Sequence, residues 1–155
     1  MKVQKAAYLD FYDEKVFRSI LSRLENLNPN SERQWGKMDV AQMIHHLNVA
    51  IGSGLGYYNL PDAGNLMSKS FNKWMILSVL KRFPAGSKTA NTLKVESVFD
   101  FDTEKRQLKE ILEKAYQTKT DSDWSTHTYF GQLTRKQWGR LIVIHCNHHF
   151  RQFSN

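Results

Sequence analysis

Residues 134–153, TRKQWGRLIVIHCNHHFRQF, decide the fold. At ~100° per residue, Trp138, Ile142, His145, His149 and Phe153 fall within an arc of roughly 80°, so one helix face carries large apolar side chains and two imidazoles together. The start of this helix is marked twice: Thr134 and Gln137 form a capping box, and Leu133 with Trp138 form its hydrophobic staple. That start fixes the register in which His145 and His149 lie one turn apart. Imidazoles in the middle of a buried face need partners for both ring nitrogens, and the rest of the chain supplies candidates.

Outward from this stretch, helical spacing recurs. Val16, Phe17, Ile20, Leu21, Leu24 and Leu27 predict a helix over about 13–27, with Asp13 as N-cap and residues 28–30, Asn-Pro-Asn, as its stop. Asp39 and Gln42 open a second helix with an apolar face of Val40, Met43, Ile44, Leu47, Ala50 and Ile51. On its wheel His46 lies beside Met43 and Ala50, whereas His45 turns toward solvent by roughly 50° more. His46 is therefore the inward one of the two. The string GSGLG at 52–56 lacks the spacing and the preceding strand of a phosphate loop, and reads as a helix end or a close-packing site.

A third helix is predicted over about 69–83, with Phe71, Trp74, Met75, Leu77, Leu80 and Phe83 as a broad apolar surface and Pro84 and Gly86 as its stop. Residues 93–99, LKVESVF, read as an ordered connection, because a single short strand there has no partner. A fourth helix begins near Asp102 or Thr103, turning Leu108, Ile111, Leu112 and Ala115 inward and EKRQLKEILEK outward. HTYFGQL then brings His127, Phe130 and Gly131 into the turn before the last helix. The expectation is an all-α single domain over 1–155, an up-and-down four-helix bundle with a short extra helix or ordered loops.

Composition narrows the function. The chain has 155 residues, 41% hydrophobic and 24% charged, enough to bury a core without disulfide or metal staples. No apolar run approaches the ~20 residues of a membrane span. The opening MKVQKAAYLDFYDEK carries acidic residues where a secretory signal needs an apolar stretch, which points to the cytoplasm, as does the lone Cys146. A net charge of +7 raises nucleic acid as a partner. Its basic residues are scattered, however, and the densest, Lys69, Lys73, Lys81, Arg82 and Lys88, lack interleaved base-reading groups, so nucleic acid is disfavoured against a solvated basic face or attraction of an anionic small molecule.

Histidine spacing carries the chemistry. His145 and His149, at i and i+4, can share one metal ion, and His46 from a facing helix completes three ligands. A fourth position left open makes such a site catalytic in style. Neutral imidazoles leave the full charge on the ion, so bound water or thiol loses a proton near neutral pH. The competing reading is that the histidines pack the core, satisfied by hydrogen bonds. His127 is the candidate catalytic residue outside the trio, binding substrate or shuttling a proton. His148 and His45 read as solvent-facing or supporting residues, and Cys146 as packing.

At these positions the sequence resembles the DinB-like superfamily (DinB/YfiT type) of four-helix metal proteins, which has one histidine before a leucine in the second helix and an HxxxH pair in the last. Here these read as His46 in QMIHHL and as His145 and His149 in HCNHHFRQ. The resemblance is closer to one DinB-related branch with a W-G-x-M segment, an H-P-x-F-G-x-L-T loop and a W-G-R-L…H…H-H-x-R-Q-F helix. Its counterparts are residues 35–38, HTYFGQLT at 127–134, and Trp138 onward, with Thr128 where the branch has proline. The resemblance implies a divalent ion such as zinc or nickel, a homodimer, and enzymes that are thiol-dependent transferases, a thiol-dependent isomerase or metal-dependent hydrolases. The leading expectation is a metal-dependent enzyme activating a low-molecular-weight thiol for attack on a small-molecule electrophile. The alternatives are hydrolysis by metal-bound water, and a non-catalytic bundle that binds a metal or ligand.

Overall fold

The computed structural model describes residues 10–80, 83 and 97–155. Helix α1 spans Glu14–Asn26, α2 Val40–Gly54, α3 Leu66–Trp74, α4 Phe101–Gln117 and α5 Arg135–Gln152, with a π-helical continuation of α3 at Met75–Leu80 and a short 3-10 turn at Asp121–Asp123. The architecture is the expected all-α bundle. Among the described residues the isolated bridge between His127 and Gly131 is the one β-type pairing.

Local chemistry sets the helix starts. The Asp13 carboxylate accepts from the backbone N–H groups of Lys15 and Val16, and both halves of the capping box close at Asp39/Gln42 and at Thr134/Gln137. Helix α4 starts slightly before the expected position because Asp100 caps it, accepting from the Thr103 N–H. Helix α1 packs on α4 and α5, and α2 packs on α4 and α5, so the order around the bundle is α1, α4, α2, α5. Consecutive helices α1 and α2 thus stand diagonally, and α2 and α5, which carry the histidine trio, become neighbours. Met43, Ile44, Leu47, Leu108, Leu112, Trp138, Ile142 and Phe150 fill the centre, each essentially inaccessible. Each such side chain contributes ~1.5–3 kcal/mol by leaving water.

Two local expectations change at α3. Helix α3 begins at Leu66 because Asn65 and Ser68 form a capping box, and its Phe71 and Trp74 remain 55% and 54% exposed rather than joining a core face. The wider π-type turn that follows buries Leu77. Pro84, Gly86, the basic Lys81, Arg82 and Lys88, and residues 93–96 lie outside the described residues, while residues 97–99 form no strand.

His45 does not face solvent, and Glu104 is not on an outer face. Glu104 is buried between α2 and α4, its Oε2 3.1 Å from His45 Nδ1 and 2.7 Å from Asn48 Nδ2, and His45 stacks on Phe99 with centroids 3.8 Å apart. The reason is that α4 covers one side of α2 and α5 the other, so α2 has two buried faces where a single-face wheel assigns one.

Gly54, the last residue of α2, lies under the stacked rings of Trp124 and Trp138, whose centroids are 4.7 Å apart. A Cβ there would stand 2.6 Å from Trp138 Cη2 and 2.9 Å from Trp124 Cε3. Alanine gains ~1 kcal/mol of helix propensity at an ordinary site. Here the added carbon overlaps two buried, mutually stacked rings that must shift together, so Gly54→Ala is expected to destabilise the fold by about 1–3 kcal/mol in urea denaturation. A stabilised variant would show that the rings withdraw freely.

Candidate metal centre

Helices α2 and α5 bring His46, His145 and His149 together, with one ligand-capable atom of each within 4.8 Å of the others. The trio is the one group of this kind among the described residues. His46 and His149 are 3% and 5% exposed, and His145 in the same wall completes a triangle with them, its ring centroid 5.0 Å from that of His46 and 4.9 Å from that of His149. His46 Nε2 stands 2.9 Å from His145 Nε2. Two imidazole lone pairs repel at that separation, so a proton or a cation must lie between them.

Donor chemistry suits a cation. Burial, reinforced by the neighbouring His149 and His46, holds His145 well below the ordinary imidazole pKa. Burial likewise lowers His149, with His46 adding to it, although the hydrogen bond to Gln152 works in the opposite direction. Both rings are therefore neutral at pH 7, the form that binds metal, and ligand sets of nitrogen donors suit zinc and its neighbours. The residues fit a divalent ion.

A support not visible in the spacing orients His149. Gln152 Nε2 donates to the Trp35 carbonyl at 2.9 Å, so its Oε1 must be the atom facing His149 Nδ1, also at 2.9 Å. An oxygen acceptor there places the His149 proton on Nδ1 and leaves Nε2 as the lone-pair atom turned toward the trio. Gln152 is itself held, its carbonyl accepting from the Gln34 N–H at 2.7 Å. Gly36 makes room for this amide: its φ is +86°, and a Cβ would collide with Gln152 Nε2. The Trp-Gly segment at 35–36 thus acts on the site from 117 positions away in the chain. Position i+3 from His149 was the available hint to Gln152.

The other candidates take definite places. His127 lies in a loop closed by two 2.9 Å backbone hydrogen bonds with Gly131, and shares a cavity of about 320 Å³ with all three trio histidines. Burial pushes its pKa down to about 4. His148 is also buried and lines the cavity, its Nδ1 3.1 Å from the Phe83 carbonyl, so it does not face solvent. His45 belongs to the α2/α4 contact and is not in the trio. Cys146 is fully buried with its thiol pushed up to about 12 by that burial, which suits packing and not nucleophilic attack.

Fold and site together define a helical bundle with a buried three-histidine group that can hold a metal ion. The chain belongs to the family described as "Protein of unknown function (DUF1569)", which it matches over residues 5–155. No curated protein and no solved structure matches it. No helix among the described residues is long and apolar enough to cross a membrane.

Two outcomes follow from this geometry. Gln152→Ala frees the His149 ring and is expected to weaken zinc affinity by about 10–100-fold in calorimetric titration, with the fold retained; unchanged affinity would remove Gln152 from the site. The second concerns pH. The unfolded chain protonates His127 near 6.5, whereas the folded chain does so only near 4, so stability falls as pH falls through this window, by at most ~1.4 kcal/mol per pH unit from this group. Denaturation of metal-free protein across that window should give a shallower slope for His127→Phe than for the wild type.

Proposed function

We propose that the protein is a metal-dependent enzyme of the DinB-like type, in which His46, His145 and His149 hold a divalent cation, zinc or nickel, and a low-molecular-weight thiol attacks a small electrophile. The observation that carries this reading is the placement of three ring nitrogens within 4.8 Å of one another in the wall of a cavity of about 320 Å³. A purely structural site is closed by four protein ligands, whereas three leave a position facing the space where small molecules enter. The resemblance to DinB-like proteins supports the same assignment, since the matching histidines are the ones that converge.

When bound, the ion supplies positive charge that lowers the pKa of a coordinated thiol or water. The chain's own residues do the rest. Gln152 presents the His149 Nε2 lone pair. Apolar walls from Ile51, Leu141, Ile142 and Phe130 exclude water around the nucleophile and strengthen every electrostatic interaction there. Among the described residues, no Asp or Glu lines the cavity to serve as a general base. A thiol favours this arrangement over water, because once ionised it needs no base during attack.

Metal analysis of protein purified without an affinity tag, followed by turnover assays of thiol and electrophile pairs, tests the reading. One equivalent of zinc or nickel is expected in the wild type, with His149→Ala losing it and His45→Ala keeping it. Equal losses in the two variants would overturn the ligand set. Stoichiometric metal with no turnover of any pair would leave a binding module in place of an enzyme.

A further inference from the structure

His127 is one of the polar groups of the cavity that the metal reading leaves without a role, and the one whose ring polarity two backbone amides fix. Its Nδ1 lies 3.0 Å from the Tyr129 nitrogen and 3.1 Å from the Phe130 nitrogen, both backbone amides. Amide N–H groups only donate, so Nδ1 must be the lone-pair atom and the ring proton must sit on Nε2. The loop is rigid on this point, since His127 and Gly131 exchange two backbone hydrogen bonds. The ring is also packed, stacked on Phe130 at 4.5 Å and tilted against Trp138 at 5.2 Å between centroids. Among the described residues, Nε2 has no hydrogen-bond partner, and the residue forms part of the cavity wall.

The cavity has a second trait. No Asp, Glu, Lys or Arg is among the described residues of its wall. An adjoining cavity of about 190 Å³, which shares Ser53, Leu60 and Thr128 with it and adds Tyr58, Asn59 and Ser125, is also without a charged side chain. Without a bound cation, a buried ionic group on a ligand would find no charged side chain of either sign in these walls to pair with.

We propose that His127 is a fixed, uncharged hydrogen-bond donor, and that the electrophile taken by the cavity is a compact, uncharged, largely apolar carbonyl compound whose oxygen accepts from His127 Nε2. The assignment of that carbonyl compound as the electrophile rests on the metal-centre reading, while its binding does not. With Nδ1 committed to two amides and Nε2 bearing the proton, the ring has no lone pair to serve as a base. Burial keeps it neutral down to about pH 4, so it does not act as a cationic acid either. What remains is one donor, which positions a carbonyl; as the thiolate sulfur bonds to the carbonyl carbon, the C=O π pair moves onto the oxygen that accepts from Nε2, and that oxygen then takes from solvent the proton the thiol released there.

The test uses full-length protein with ¹⁵N-labelled histidine and no added metal. Long-range ¹H–¹⁵N NMR is expected to show His127 with its proton on Nε2 at pH 7, and acetophenone is expected to shift that N–H. In His127→Phe, acetophenone binding should weaken by about three- to tenfold while ethylbenzene, the hydrocarbon of the same shape, binds as before. In the wild type, 4-acetylbenzoate, the same ketone bearing a carboxylate, should bind at least ~tenfold more weakly than acetophenone. A proton on Nδ1, no response of His127 to acetophenone, equal weakening of both ligands in a folded variant, or equal affinity for 4-acetylbenzoate would each overturn the proposal. Should His127→Phe not fold, the wild-type tautomer and its response to acetophenone decide. Failure of the wild type to bind zinc would sink the metal reading and leave every one of these results unaltered, so the two fail separately.

Discussion

Two imidazole nitrogens 2.9 Å apart in a cavity wall cannot both present lone pairs to one another. The site depends on how that conflict is resolved, by an N–H donated from one ring to the other or by a cation that the three-histidine group can hold. His145 is held neutral by burial and by the neighbouring His149 and His46, His149 by burial and by His46, and His46 comes from the neighbouring helix to complete the set. Apolar residues at these positions would pack a bundle core with less trouble. Imidazoles there sacrifice some of that core stability, which is the pattern expected where a binding site is built into a fold.

The constraint spreads outward through hydrogen bonds of defined polarity. His149 can face the trio with Nε2 only because Gln152 accepts at Nδ1, and Gln152 can accept only because its amide nitrogen is committed to Trp35. Gly36 then has to lack a side chain. In the same cavity, His127 has its polarity set by two backbone amides. Both rings are thus fixed in tautomer by groups that cannot reverse their roles. Preorganisation of this kind keeps a ligand atom and a donor in place without reorganisation when a substrate enters.

Much of this was legible in the sequence where local rules apply. The capping box of Thr134 and Gln137 set the register of His145 and His149, and the wheel of α2 chose His46 over His45. Helix existence followed from periodicity in the same way. What escaped was two-sided burial and long-range polar pairing. A wheel with one buried face per helix turns His45 of α2 and Glu104 of α4 toward solvent, whereas the two meet each other between these helices. The role of Gln152 needs a carbonyl from a distant loop, and the tautomer of His127 needs a closed turn; neither leaves a periodic trace. Exposure of Phe71 and Trp74 escaped too, since an apolar stripe does not say whether a neighbour covers it.

The most direct measurement on the centre is zinc-edge X-ray absorption of untagged protein reconstituted with one equivalent of zinc and kept free of added thiol. Three imidazole nitrogens at about 2.0–2.1 Å with one exchangeable oxygen ligand are expected, and no sulfur, because the one thiol of the chain is buried away from the trio. A shell containing sulfur, one with fewer than three imidazoles, or failure to retain zinc would contradict a metal centre on His46, His145 and His149.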